Sequence, residues 1–370
     1  DVTGPGAYTD DAFGGGTQEL MIDDGRVRLR VDECGPDHAL TEVVVGGVIS
    51  DHKGVNVPGV ILPIDVITEK DREDLAYALK LNVDWIGQSF VQTPDDVQQL
   101  KEIIGERTKI MVKLEKPSAL DRLDEILEIC DGVMVARGDL GVELPPQQVP
   151  VAQKLIIRSC RRVGKPVVVA THMLDSMVTN PVPTRAEASD VATAVYDGVD
   201  AVMLSAESAA GEYPLESVRM MNNIIEEVER DPAYASIVDA QRPEPEETTA
   251  DAICNSLQNI THILSSATTV TYTSSGSTAL RAARERPHAP ILCLTPFVKT
   301  ARYMALTWGV HAVTVDVANE FADVNDVIIA AKEIAVRESF AGSGEPVVIA
   351  AGLPFGASGT TNLLHVAWID

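Results

Sequence analysis

The sequence predicts an α/β protein of more than one domain, built around a parallel sheet. Three observations predict it. Short apolar runs begin near positions 84, 109, 132, 166 and 200, and each is followed by a helical pattern. The runs are apolar at successive positions, so both faces of each strand are covered, as in a parallel sheet flanked by helices. Four of them end in chemically useful residues: K-I-M-V-K-L-E at 109–115, G-V-M-V-A-R-G-D at 132–139, P-V-V-V-A-T-H-M at 166–173 and A-V-M-L-S-A-E at 201–207. In a parallel (β/α) barrel such exits share one face, and ligands bind there. Five clear βα units are legible, where a closed barrel has eight.

The elements follow in order. Residues 1–60 read as β structure, with strands at 27–31 and 39–45, turns at Asp24-Gly25 and Gly46-Gly47, and a loop at 52–59. Helices are expected at 70–81, 94–104, 120–129, 148–163, 184–196 and 214–230, and strands at 83–89, 109–114, 132–136, 166–171 and 200–205. Thr93 is a natural N-cap with Pro94 in the first turn, and Thr184 with Glu187 makes a capping box. Residues 231–248, rich in Pro and Glu, read as a linker. A second α/β domain follows, with helices at 250–264, 278–285, 299–307 and 324–338. Its strands are near 269–273, 290–294, 312–316, 347–350 and 363–368.

Composition narrows the function. The chain has 370 residues, 45% of them apolar and 23% charged, enough for two or three domains with a large core. A net charge of −25 disfavours nucleic acid and anionic membranes as partners. It does not disfavour an anionic small substrate, because a metal ion and a few basic groups invert the local potential. No apolar run is long enough to span a membrane, and the start lacks the basic-then-apolar pattern of a signal peptide. Cys34, Cys130, Cys160, Cys254 and Cys293 are scattered without a C-x-x-C, so reduced thiols are expected; no histidine spacing suggests zinc.

Lys113 and Glu115 sit two apart at a strand end, so both point to one face. Lys113 is suited to counter anionic charge and Glu115 to hold a divalent ion, although a surface ion pair would leave the same pattern. Asp139 follows Gly138 directly after a strand, in what reads as a tight turn with exposed N–H groups. Glu115 and Asp139 together offer two hard oxygen ligands for Mg²⁺ or Mn²⁺; a cap is the plainer reading of Asp139. Thr171 ends the third of these segments with a hydroxyl able to start a proton relay, and His172 beside it reads as a supporting residue. Arg185 is left to cross the barrel mouth or reach a neighbouring subunit, and Glu207 to organise a loop. Ser274, Ser275, Gly276, Ser277 and Thr278, between a strand and a helix, form a candidate anion nest, and the turn at 352–362 is a second phosphate-compatible loop.

Taken together, H-K-G-V-N-V-P-G, V-K-L-E, M-V-A-R-G-D-L-G-V-E-L-P, V-V-V-A-T-H-M-L-D-S-M, the long run from P-T-R-A-E to S-A-A-G-E-Y-P and the final T-T-N resemble, in family order, pyruvate kinases of the bacterial type over about residues 20–370. The resemblance implies a (β/α)₈ TIM barrel, incomplete in this chain, with a remnant of a small inserted β domain and a C-terminal three-layer α/β regulatory domain. The corresponding divisions are 1–60, 61–235 and 236–370. It implies a cytoplasmic homotetramer in glycolysis that moves phosphoryl from phosphoenolpyruvate to ADP, giving pyruvate and ATP, with Mg²⁺ or Mn²⁺ and with K⁺. By resemblance Lys113 lies beside the transferring phosphoryl, and Glu115 and Asp139 hold the divalent ion. Gly138 and Asp139 seat the substrate carboxylate, Thr171 lies near the carbon to be protonated, and the 274–278 loop takes a phosphorylated effector.

There are departures. D-V-T-G-P at 1–5 resembles the end of the family's third barrel strand, so the chain reads as lacking the N-terminal strands, the K⁺ ligands on them and much of the inserted β domain. Little phosphoryl transfer is expected on that account. His172 stands where the family often has Gln, the loop after Ser89-Phe90 lacks a basic residue, and the effector loop lacks an Arg. Two other readings fit the same residues: a metal-dependent aldolase or lyase acting on pyruvate enolate, and an inactive truncated kinase that binds only subunits or effector.

Overall fold

The structure, a computed structural model, describes residues 19–51, 53–60, 66–315, 323–354 and 360–370. The segment at 1–5 read as a strand end lies outside the described residues, as do positions 355–359 of the 352–362 turn and the last residue of the strand expected at 312–316. The chain divides into two compact units. One runs to Ile156 and includes Val169–His172; the other comprises Ile157–Val168 and Met173–Asp370.

The first unit opens on a small antiparallel sheet of four strands, β1 (Glu19–Ile22), β2 (Val27–Cys34), β3 (Ala39–Val45) and β4 (Val55–Asn56), in the order β3-β2-β1-β4. The expected strands at 27–31 and 39–45 are β2 and β3. β1 is a further strand, and β4 lies inside the segment read as a loop, because a two-residue strand leaves no alternation to read. The turn from β1 to β2 places Asp23, Asp24 and Gly25 all at positive φ, where Asp and Gly are the residues best tolerated.

The parallel sheet follows. Its elements in the first unit are α1 (Glu69–Lys80), β5 (Trp85–Gln88), α2 (Pro94–Ile104), β6 (Lys109–Leu114), α3 (Pro117–Asp121), α4 (Leu123–Ile129), β7 (Gly132–Ala136) and α5 (Arg137–Glu143). Then come α6 (Val149–Val163), β8 (Val167–Ala170), α7 (Arg185–Tyr196), β9 (Ala201–Met203), α8 (Ala206–Ala209) and α9 (Pro214–Arg230). The strand order is β5-β6-β7-β8-β9, five strands among the described residues. Val112, Leu114, Val133, Val135, Val167 and Val169 are fully buried, which is why the runs look uniformly apolar. Thr68 and Thr184 cap α1 and α7 with reciprocal bonds to Asp71 and Glu187. The helix expected at 120–129 is instead two, because Pro117 starts one early and Arg122, at φ −118°, breaks the chain between them.

The linker expected at 231–248 is corrected in its first half, which is helix α10 (Pro232–Ala240). Asp231 is its N-cap and Pro232 its first residue, so the proline marks a helix start. Tyr234 and Val238 pack with Val195 and Val228.

The C-terminal domain contains α11 (Thr249–Leu264), β10 (Thr268–Tyr272), α12 (Ser277–Arg284), β11 (Ile291–Thr295), α13 (Val298–Met304), β12 (Val310–Thr314), α14 (Val324–Arg337), β13 (Pro346–Gly352) and β14 (Thr361–Trp368). Its sheet runs β12-β11-β10-β13-β14, parallel except for the last pair. Val270, Leu292, Leu294, Val347 and Ile349 form one core with Val327, Ala331 and Ile334 of α14. Leu257 of α11 packs on Val348 and Ala350, the alternate residues of β13. Alternate residues of one strand thus face helices on opposite sides, the three-layer arrangement expected.

Candidate active site

Strand β6 delivers Lys113 and Glu115 to the same side, as alternation requires. Lys113 Nζ lies 2.5 Å from Glu115 Oε1 and 2.8 Å from Ser89 Oγ. Glu115 is 1% exposed. Its Oε2 accepts from Phe90 N at 2.6 Å, and Phe90 takes a left-handed φ of 55°. Its Oε1 has the ion pair but no hydrogen bond of good geometry. Burial pushes the Glu115 carboxyl up, against the pull of Lys113 and the Phe90 N–H, and the Asp139 carboxylate pushes it the same way.

Gly138 and Asp139 are corrected from a tight turn to the first turn of α5, which begins directly at the end of β7. Gly138 N donates to Thr171 Oγ1 at 2.7 Å, and Thr171 Oγ1 donates to Ala170 O at 2.7 Å. A Cβ on Gly138 would stand 3.4 Å from Thr171 Oγ1, in ordinary van der Waals contact, so Gly138 and Thr171 pack directly against each other. The strand expected to run to 171 stops at Ala170. Thr171 and His172 have φ of 68° and 52°, conformations costing of order 1–3 kcal/mol each for such residues. Arg137 Nη2 donates to Thr171 O at 2.8 Å, and its Nε lies 3.4 Å from Ala170 O, so one guanidinium holds the strained backbone.

A cavity of about 860 Å³ opens beside these residues, lined in part by Asp139, Ser89, Phe90, Gly54, Asn56 and Lys116. Lys116 and Glu143 form a buried ion pair at 2.5 Å, and Asn56 Nδ2 donates to the same Glu143 oxygen at 3.0 Å. Sequence reading missed Lys116, Glu143, Asn56 and Arg137. Lys116, next to Glu115 at a strand exit, and Arg137, next to Gly138, carried a local signal; the meeting of Asn56 with Glu143 across 87 positions carried none. Glu207, by contrast, bonds Leu174 N and Ser205 N and organises its loops as expected.

Among the described residues no group of three or more His, Cys, Asp or Glu is placed to enclose a metal. A buried carboxylate oxygen without a hydrogen bond, and a second carboxylate near enough to raise the first, suit a hard divalent ion. Mg²⁺ commonly takes one or two carboxylates and completes its shell with water and substrate oxygens.

In the C-terminal domain Gly276, at φ 91°, caps α12, and its N–H bonds Thr273 Oγ1 at 3.0 Å. Ser275 and Ser277 hydroxyls lie 3.2 Å apart, Ser274 O accepts from Thr300 Oγ1, and Thr278 turns inward to Thr361 at 2.8 Å. The loop is organised by its own hydroxyls, with Thr278 buried.

A family model described as pyruvate kinase, barrel domain, matches residues 11–218, and one described as pyruvate kinase, alpha/beta domain, matches residues 251–367. The chain belongs to the pyruvate kinase family. It is similar to the pyruvate kinase of Methylorubrum extorquens, 54% identical over 350 residues, covering 95% of this chain and 73% of that protein. A pyruvate kinase of Agrobacterium vitis is 48% identical, with 95% and 72% covered, and that of Clostridium acetobutylicum 41%, with 95% and 74%. These matches correct one expectation. A chain lacking barrel strands and much of the inserted domain was expected. Instead the barrel model of the pyruvate kinase family matches the small-sheet region and the parallel sheet as one stretch, and the C-terminal model matches its own domain. The four strands β1–β4 form a sheet of their own, more than the sequence suggested. The expectation of feeble phosphoryl transfer rested on that reading of the chain.

Proposed function

We propose that this chain transfers the phosphoryl group of phosphoenolpyruvate to ADP. The bond from phosphorus to the enolate oxygen breaks, one to the terminal phosphate oxygen of ADP forms, and the enolate gains a proton at carbon to become pyruvate. The observation that carries the reading is the Lys113–Glu115 pair at 2.5 Å, its carboxylate buried and near enough to Asp139 to feel that charge, in a chain of this family. In this reading the Lys113 ammonium faces the transferring phosphoryl, where preorganised charge lowers the barrier. Glu115 and Asp139 would hold Mg²⁺ or Mn²⁺, which neutralises charge on the phosphate and enolate oxygens. Gly138 and Asp139 N–H groups receive the substrate carboxylate, and the Gly138 N–H exchanges its bond to Thr171 to do so. That exchange frees a lone pair of the Thr171 hydroxyl, and its O–H, once turned from Ala170 O, passes a proton through water towards the enolate carbon.

The companion readings rest on family membership: K⁺ as a second cation, a cytoplasmic homotetramer in glycolysis, and a phosphorylated effector at the loop of residues 274–278. No helix among the described residues is long and apolar enough to cross a membrane. The division into 1–60, 61–235 and 236–370 is retained as a proposal, supported by the break between the two family matches at 218 and 251.

The test is pyruvate formation followed through lactate dehydrogenase with phosphoenolpyruvate, ADP, Mg²⁺ and K⁺. The expected result is turnover that requires both ADP and the divalent ion, and falls about 10²–10³-fold in Lys113→Met. Pyruvate release without ADP, or a Lys113→Met enzyme of full activity, overturns the reading.

A further inference from the structure

Away from the candidate active site, the second unit buries a guanidinium without a carboxylate. Arg161, on α6, is 3% exposed. Its one hydrogen bond among the described residues is from Nη1 to Gln241 Oε1 at 3.4 Å, and its Nε and Nη2 have none. Asp200, the carboxylate that acts on it most strongly, is already committed. Asp200 Oδ1 accepts from Arg286 Nη1 at 3.0 Å and from Trp308 N at 3.1 Å, and its Oδ2 accepts from Val167 N at 3.0 Å. Space for the guanidinium is built into the chain: Gly198 has φ 87°, and a Cβ there would stand 2.9 Å from Arg161 Nη1.

Arg161 lines a small cavity of about 10 Å³ together with Lys165, Asp200, Arg284, Arg286 and Thr307. That is room for about one water-sized body. Four residues of this lining bring polar atoms that lack a hydrogen bond: Arg161 through Nε and Nη2, Arg284 through Nε, Arg286 through Nε and Thr307 through its hydroxyl. Arg284 and Arg286 are otherwise anchored, the first to Asp251 and Glu244 O, the second to Asp200 and Gly198 O. A guanidinium only donates, so the unmet groups are donors save for the hydroxyl, which can do either. A water molecule could give its hydrogens to the Thr307 hydroxyl or to Asp200 Oδ2, but it would leave the positive charge of the wall uncompensated. A particle that only accepts, and carries negative charge, satisfies the wall. The electrostatics agree: burial first, then the neighbouring Arg286, pull the Arg161 guanidinium down to about 10, the mark of a positive charge short of compensation.

We propose that this cavity is a binding site for one small monovalent anion of the halide class, held by the unmet donors of Arg161, Arg284 and Arg286 and by the Thr307 hydroxyl. The anion is a structural counter-ion for buried charge, distinct from any substrate.

The experiment has two arms on the full chain. Crystals in sodium bromide are measured at the bromine absorption edge, and thermal unfolding is compared in chloride and in gluconate at equal ionic strength. Expected are an anomalous peak in the cavity and a Tm higher in chloride, by on the order of 2–4 °C for a ligand stabilising by about 1 kcal/mol. Both are expected to vanish in Arg161→Met; if that variant does not fold, Thr307→Val replaces it, with both effects weakened. A water or an empty cavity in bromide overturns the proposal. So does a bromide peak with no Tm response, which marks an adventitious ion only, and so does a chloride response undiminished in the variant.

Discussion

Lys116 and Glu143 illustrate how much a single buried pair decides. Glu143 receives the Lys116 ammonium and the Asn56 amide on one oxygen, and its Oε2 is buried without a hydrogen bond. Removing one member of such a pair leaves the other as an uncompensated buried charge, typically a loss of about 3–5 kcal/mol. Glu143→Leu is therefore expected to lower stability by that amount in urea unfolding, whereas the double variant Glu143→Leu with Lys116→Met recovers most of it. An additive double variant, no better than the sum of the single changes, would refute the pairing. Thr171 and His172 make the complementary point. Their positive φ values are held by Arg137 through backbone carbonyls, so geometry at the Thr171 hydroxyl depends on a residue that need not touch a substrate.

At the scale of elements, the long periodic segments were legible and the short ones were not. Helices such as α1, α2, α7 and α9 carry their own caps and prolines, and their bounds were readable within a residue or so. β1 and β4 were missed because four and two residues hold too little pattern. Helix α10 was missed because Pro232 and the Pro- and Glu-rich stretch after it look alike in composition, yet only the former has an Asp N-cap and a buried face. For the candidate site, alternation along β6 predicted the meeting of Lys113 and Glu115, and the structure brings them together. Arg137 carried a local signal beside Gly138, but its bonds to the backbone at 170–172 and the tie of Asn56 to Glu143 join distant segments that no local pattern encodes. Tyr234 shows what α10 contributes: it is 8% exposed against Val195, Val228 and Val238. Tyr234→Ala is expected to cost about 3–5 kcal/mol, as for other large aromatics removed from a core. A loss under about 1 kcal/mol in equilibrium unfolding would mean that α10 is dispensable.

At the scale of the whole molecule, acidity dominates: a net charge of −25 makes self-repulsion considerable near neutral pH. Mild acid relieves that repulsion before it removes specific pairs. Asp251 is the pair to watch. Burial raises its carboxyl, but the Glu246 N–H and the guanidinium groups of Arg284 and Arg281 outweigh this and hold it below its usual 3.8. A depressed native value gives stability that is complete above the unfolded value and is lost as pH falls through the native one. Asp251→Asn is thus expected to be several kcal/mol less stable than the wild type at pH 7, of order 3–5 for a broken buried pair. The gap closes below pH 3.8, the window set by the carboxyl's ordinary value. Urea midpoints across pH check this; a gap that stays constant into strong acid would show that the charge of Asp251 is not what stabilises the fold.

The crowding of arginines around Asp200, Asp251 and Glu285 has a consequence for heat. Hydration of ions weakens as temperature rises, so withholding water from these groups becomes less of a handicap in a warm solution than in a cold one. The region knit by those contacts should therefore keep its advantage longer on warming than one held by hydrocarbon packing of equal strength at room temperature.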